Sequence, residues 1–275
     1  MSGTAQAAAP SLFLRSALIL ALLWAIPAQA ETALIGLKRA EQASPWKAVG
    51  RLDMAGGGYC TATLIAPDLV LSAAHCTFDQ DGTRRAPQDI TFRAGFNEGR
   101  IEAERTVAQI ALPEAYEYKG SDWIARIAND VVLLRLDTPI PTQVISPFLV
   151  EPRLLEQGEV SVVSYGRGRD SLPSLQSTCA VLRSYKGVMV MNCDTTFGSS
   201  GAPVFRRDGT RIRIASIVSG SVTISGVRRT TGMALPDLVT QLKSQLIAGA
   251  SGPVPVVRMI EVGARTSGGA KFIRP

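Results

Sequence analysis

The chain has 275 residues and a net charge of +6, from 29 Lys and Arg against 23 Asp and Glu, and 46% of it is hydrophobic. That length supports one large domain or two small ones around a sizeable core. Its basic residues are scattered, singly or in isolated pairs such as Arg84–Arg85, Arg206–Arg207 and Arg228–Arg229. With no basic helix and no interleaved aromatic series, nucleic acid is excluded as an expected partner.

Residues 1–30 read as an export signal: Arg15 supplies positive charge, Ser16 to Ile26 is an apolar run, and Pro27-Ala28-Gln29-Ala30 ends in a small-x-small cleavage site. The run is shorter than the roughly 20 apolar residues that span a bilayer. The expectation is a secreted or periplasmic chain starting near Glu31, with no stable membrane anchor after cleavage.

Short apolar runs then recur at Lys47–Leu52, Thr61–Ile65, Leu69–Ser72, Ile90–Ala94, Thr106–Leu112, Val131–Leu136, Val160–Ser164, Ala180–Tyr185, Gly187–Met191, Ala202–Phe205, Ile212–Ser219 and Val222–Ile224. Most are bounded by Gly, Pro, Asp or Asn, which is the pattern of short strands joined by turns, so the fold class is all-β. So many strands exceed one small barrel, and Pro139 to Pro152 is the natural crossover between two halves. These become an N-terminal unit, 31–145, and a C-terminal unit, 146–233. Pro236, followed by Leu238, Val239, Leu242, Leu246 and Ile247 at three- and four-residue spacings, predicts a helix over 234–249, ended by Gly249. Residues 250–275 form a Gly/Pro-rich tail, in which Val254–Ile260 could add an edge strand.

The four cysteines, Cys60, Cys76, Cys179 and Cys193, lack any C-x-x-C pair. In an exported chain they favour two disulfides over a metal site. Three connectivities are possible, and proximity in sequence favours Cys60 with Cys76 and Cys179 with Cys193. The chain's single histidine, His75, excludes a histidine-rich zinc site. No cofactor or metal is implied.

Two stretches carry chemistry: Leu71-Ser72-Ala73-Ala74-His75-Cys76, and the small-residue turn Thr196-Phe197-Gly198-Ser199-Ser200-Gly201-Ala202-Pro203. A serine hydroxyl becomes a useful nucleophile when a base takes its proton and backbone N–H groups receive the charge that develops on the attacked carbonyl. Imidazole, with an ordinary pKa near ~6.5, suits the base near neutral pH.

The segment Tyr59 to Cys76, ending in Ala-Ala-His-Cys, resembles the region around the catalytic histidine of chymotrypsin-like (trypsin-like) serine proteases. Ala128-Asn129-Asp130-Val131-Val132-Leu133-Leu134 resembles that family's Asn-Asp-Ile-Ala-Leu-Leu segment. The likeness implies two six-stranded antiparallel β-barrels with a C-terminal helix. It assigns His75 as general base, Asp130 as the carboxylate that orients it, Ser200 as nucleophile, and the N–H groups of Gly198 and Ser200 as the oxyanion hole. It also implies that Cys60 and Cys76 are disulfide-bonded. The function implied is a serine endopeptidase acting on protein or peptide substrates, compatible with a monomer. The alternative is a catalytically silent binding or signalling protein on the same scaffold.

Two positions depart from the family's Gly-Asp-Ser-Gly-Gly-Pro: Ser199 replaces its aspartate and Ala202 its second interior glycine. Around Asp194-Thr195-Thr196 the chain is closer to bacterial glutamyl-endopeptidase-like members, whose specificity relies on a second histidine that this chain lacks. Without the aspartate, activation by a newly cut amino terminus is not expected. Asp194 lies six positions before Ser200, where trypsin-type enzymes hold the carboxylate that binds Lys or Arg, and so weakly favours cleavage after those residues. Ser219, in Ile217-Val218-Ser219-Gly220-Ser221, is the candidate for the serine that meets the triad aspartate, with Gly220 and Ser221 offering other registers.

Overall fold

A computed structural model describes residues 32–250, together with Met1 and Gly3. Apart from Met1 and Gly3, the expected export signal lies outside the described residues, as does the tail beyond Ala250 with Val254–Ile260.

The period-two patterning of the sequence becomes visible in the first barrel, where Ile90, Phe92 and Ala94 are buried and the intervening Thr91 and Arg93 are half-buried. An N-terminal arm containing β1 (Ile35–Gly36) and the one-turn helix α1 (Ala40–Ala43) leads into that barrel. Its strands are β2 (Val49–Met54), β3 (Tyr59–Ala66), β4 (Leu69–Ser72), β5 (Ile90–Ala94), β6 (Ala103–Ala111) and β7 (Val132–Leu136), closed in the order β2-β3-β4-β7-β6-β5. Leu52, Leu64, Leu71, Phe92, Leu133 and Leu134 fill it, each fully buried. Side chains of this kind contribute about 1.5–3 kcal/mol each on complete burial. Helix α2 (Trp123–Ala128) precedes β7 and is capped by Asp122, whose carboxylate accepts from the Ile124 and Ala125 N–H groups.

A crossover containing β8 (Leu149–Val150) leads to β9 (Gly158–Gly166), β10 (Arg169–Tyr185), β11 (Val188–Met191), β12 (Pro203–Asp208), β13 (Arg211–Ile224) and β14 (Val227–Met233). Pairing runs β10-β11-β14-β13-β12-β9, and β9 pairs back to β10, so these six strands also close. The chain is therefore all-β with two six-stranded antiparallel barrels. β1 adds to β10, and β8 lies parallel to β13. Helix α3 (Pro236–Ala250) buries Val239, Leu242 and Leu246, and Arg135 of β7 donates to the Leu246 carbonyl. The helix thus seats on the first barrel, although it follows the second in sequence. Trp46, Phe148 and Phe205 pack with tilted rings at the junction of the halves, with ring centroids 4.6–6.0 Å apart.

Several elements differ from their sequence expectation. Val222–Ile224 is the outer end of β13, and its partner β14, reading Val-Arg-Arg-Thr-Thr-Gly-Met, lacks apolar alternation because most of its outer half is solvated. The run at Ala180–Tyr185 is the end of a longer strand whose earlier part contains Pro173 and an irregular register between Arg169 and Ser174. Helix α2 is too short to show a period, and α3 continues through Gly249 to Ala250. Among the described residues no helix is long and apolar enough to cross a membrane.

Tyr165, fully buried on β9, donates its hydroxyl to the Phe96 carbonyl just beyond β5 at 2.6 Å, joining the two barrels. Tyr165→Phe leaves that carbonyl without its partner, so denaturant unfolding is expected to show a loss of about 1 kcal/mol; an unchanged midpoint at unchanged m-value would show that the bond contributes nothing net.

Candidate active site

The register of β4 against β7, with Ser72 opposite Val132, carries the residues just beyond both strand ends to one place. His75 lies in the 3-10 turn Ala74–Thr77 after β4, and Asp130 lies between α2 and β7. The His75 backbone N–H donates to Asp130 Oδ1 at 2.9 Å, and His75 Nδ1 meets Oδ2 at 2.8 Å. Asp130 is 3% exposed, and Ser219 Oγ donates to its Oδ2 at 2.5 Å. With Nδ1–H donating to a carboxylate, Nε2 of neutral His75 is left as the acceptor.

Burial is the largest influence on the imidazole and lowers its pKa, but the charge and hydrogen bond of Asp130 together outweigh it and hold His75 above its ordinary 6.5. For Asp130, burial likewise opposes ionisation most strongly. The His75 charge and the bonds from His75 and Ser219 more than offset that, leaving the carboxyl below its usual range. The Cys60–Cys76 disulfide ties the turn carrying His75 back to β3.

Ser200 comes from the other half of the chain, between the Cys179–Cys193 disulfide and β12. The turn before it closes on itself: Ser199 N–H donates to the Thr196 carbonyl at 3.0 Å, and Thr196 N–H donates to Ser199 Oγ at 3.3 Å. It is clamped to the first barrel by buried Thr61 on β3. Thr61 N–H donates to the Ser200 carbonyl at 2.8 Å, and Thr61 Oγ1 donates to the Gly198 carbonyl at 2.9 Å while accepting from Tyr165 N–H at 3.0 Å. Gly198 and Gly201 have φ of 91° and 76°. A Cβ would fall 2.2 Å from the Tyr59 ring at the first and 2.3 Å from the Thr61 carbonyl at the second, so both positions require glycine.

His75, Gly198 and Ser200 line one open cavity of about 880 Å³, together with Tyr59, Phe197 and the Gly56–Gly58 loop. The N–H groups of Gly198 and Ser200 have no hydrogen-bond partner among the described residues. Two donors left unused beside a hydroxyl and an imidazole can receive an anionic oxygen.

Ser219 meets Asp130, whereas Ser221 is exposed and accepts from Arg228 Nε at 3.0 Å. Asp194 is exposed and does not line the cavity shared by His75 and Ser200; its backbone N–H donates to Gln176 Oε1 at 2.7 Å. Tyr59, Thr61 and Ser164 contact the turn, and Arg169 contacts Ser164, none of them visible as site residues in the sequence, because Tyr59 and Thr61 reach it across more than 100 residues, Ser164 across 35, and Arg169 meets Ser164 across a hairpin. Tyr59 opens the motif that ends at Cys76, which was the one available signal. Among the described residues, Cys60, His75 and Cys76 place metal-ligating atoms within 4.8 Å of one another, but the two sulfurs are bonded to each other.

Residues 60–212, more than half of the chain, match the family model of the trypsin-like peptidase domain, and the chain belongs to that family. Its fold is chymotrypsin-like. It is similar to a solved structure of Glu endopeptidase in complex with MPD, with a TM-score of 0.65 and 18% identity over 80% of this chain and 98% of that one.

The clamp predicts that Thr61→Val, which keeps the shape and removes the hydroxyl, lowers stability by about 1–3 kcal/mol and slows any chemistry at Ser200. Unfolding and active-serine labelling read the two effects separately; labelling at the wild-type rate would show that the turn does not depend on this bond.

Proposed function

We propose that the chain is an exported serine endopeptidase that hydrolyses peptide bonds with Ser200 as nucleophile, His75 as general base and Asp130 as its orienting carboxylate. The observation that carries this reading is the joint placement of an Asp130-bound imidazole, Ser200 and two unused N–H donors in one cleft. Ser200 Oγ adds to the substrate carbonyl as its proton passes to His75 Nε2. The Gly198 and Ser200 N–H groups bind the oxyanion, and His75 returns the proton to the leaving amine. Water, activated by the same imidazole, then releases the acyl group and regenerates the hydroxyl. The disulfides and the signal-like residues 1–30 support export. The chain starting near Glu31 is active without further shortening.

Cleavage after Lys or Arg is the proposed, modest preference, resting on Asp194 at its position before Ser200. The preference is modest because Arg169 acts on Asp194 as an opposite charge and competes with a basic substrate side chain. A peptide pool cleaved by wild-type protein and by Asp194→Ala tests this: the variant is expected to lose its Lys/Arg products, and an unchanged product pattern would remove Asp194 from specificity.

The activity itself is tested with a fluorophosphonate probe. Wild-type protein is expected to be labelled at Ser200, and Ser200→Ala is not. Because neutral imidazole is the base, the labelling rate should rise with pH through a pKa above 6.5, the direction in which Asp130 shifts His75. Folded protein that takes up no probe at any pH would leave the scaffold to a binding role instead.

A further inference from the structure

Ser199 stands where the family's aspartate is absent, yet a cation is still built in behind the turn. The β9–β10 hairpin brings Arg169 back across Gly166, where a Cβ would lie 2.6 Å from its guanidinium, so the glycine leaves the space that the guanidinium fills. Arg169 Nη1 donates to the Ser164 carbonyl at 2.8 Å, and Nη1 and Nη2 reach Ser164 Oγ at 3.3 and 3.2 Å. Ser199 Oγ, fully buried, donates to that same Ser164 Oγ at 3.3 Å and accepts from Thr196 N–H. The hairpin also grips the turn directly, since Arg167 N–H donates to the Phe197 carbonyl at 2.9 Å.

The guanidinium itself is half-buried and joins no salt bridge among the described residues. A charge held in that way is normally matched to something. Asp194 acts on it as an opposite charge, but its hydrogen bonds go to Ser164, in the hydroxyl relay under the nucleophile turn.

The N-terminal arm is engaged elsewhere. Thr32 N–H donates to the Thr178 carbonyl, Ile35 pairs with Leu175 and Leu37 N–H donates to the Pro173 carbonyl, so the arm lies along β10 with its start at Thr32 farther from the hairpin turn than β1 is. Ser199 Oγ finds its partners in Thr196, Ser164 and Tyr165, all internal to the second barrel.

We infer that Arg169 is a positioning residue: acting through Ser164 Oγ and Ser199 Oγ, it holds the Thr196–Ser199 turn so that the Gly198 and Ser200 N–H groups face the cleft, with no contribution from a free amino terminus. The inference rests on Ser200 being the nucleophile proposed above. It names a device inside the chain that substitutes for terminus-driven ordering.

The test compares fluorophosphonate labelling rates of full-length protein purified from an exporting host. Wild-type labelling at Ser200 establishes the underlying reading first; without it the endopeptidase reading fails and the Arg169 comparison loses its basis. With it, Arg169→Gln is expected to slow labelling and to lower kcat about 10- to 100-fold, short of or equal to the loss of an oxyanion donor, with little change in KM for a substrate that has no Lys or Arg side chain for Asp194 to bind. Arg169→Lys should recover part of that loss by restoring the charge. Chains extended by a few residues ahead of Glu31, as in an uncleaved or shifted signal site, should label at the wild-type rate. Wild-type kinetics in Arg169→Gln, or a loss on N-terminal extension as large as that of Arg169→Gln, would overturn the inference. If Arg169→Gln does not accumulate as folded protein, Ser164→Ala decides: it keeps the Arg169 bond to the Ser164 carbonyl and deletes only the shared hydroxyl. Slowed labelling at an unchanged unfolding midpoint supports the relay, and unchanged labelling refutes it.

Discussion

Thr61 is where two separately closed barrels become one site. Its N–H holds the Ser200 carbonyl, its hydroxyl donates to the Gly198 carbonyl and accepts from Tyr165 N–H, and its own carbonyl accepts from Ser72 Oγ. Ser72 ends β4, three residues before His75. One fully buried residue thus fixes the serine turn against the strand that delivers the imidazole. Hydrogen bonds in so dry a place are directional and costly to leave unmade. A small slip between barrels would break several at once, and the relation between His75 and Ser200 is correspondingly stiff.

The covalent and steric devices reinforce the same relation from outside. The Cys60–Cys76 disulfide anchors the imidazole turn beside Thr61, and the Cys179–Cys193 disulfide anchors the segment leading to Ser200. Each closes a short loop, so its restriction of the unfolded chain is on the order of 3 kcal/mol; its local effect is on the two segments whose positions matter most. Gly201 permits backbone contact between the halves, since a Cβ there would also fall 2.2 Å from Ser72 Oγ. Helix α3 crosses back to the first barrel through Leu242 and Leu246, adding a further tie between the halves.

What could be read from the sequence follows from how local each signal is. In the first barrel β5 alternates and β3, β4 and β7 are short apolar runs bounded by turns, and the Ala-Ala-His-Cys and Asn-Asp motifs are contiguous, so the fold and the contacts of Asp130 with His75 and Ser219 were legible. β14 was not, because a strand whose outer end is wet on both faces carries no apolar period. Thr61, Ser164 and Arg169 were not legible for a different reason. A threonine in a strand, a serine in a strand and an arginine after a turn are unremarkable until register places them around Gly198 and Ser199. Asp194 shows the reverse case: its spacing from Ser200 singles it out, yet the fold leaves it exposed and beside an opposing guanidinium.

The neutral Ser199 changes the electrostatics of the turn in a way that suits its surroundings. A carboxylate in that fully buried position would have to be stripped of water, a cost of several kcal/mol that only a well-placed cation offsets. A free amino terminus can be such a cation only after it has been cut and delivered. A hydroxyl avoids that requirement, because it both donates and accepts and is satisfied by groups already present. The remaining need is for a fixed position, since hydroxyls rotate freely, and a guanidinium that donates to Ser164 Oγ supplies it by holding that hydroxyl in place beside Ser199 Oγ. On the proposal that Arg169 positions the turn, the arm containing β1 is free to serve as an extra strand on β10, and the turn takes its geometry from groups already present in the folded chain.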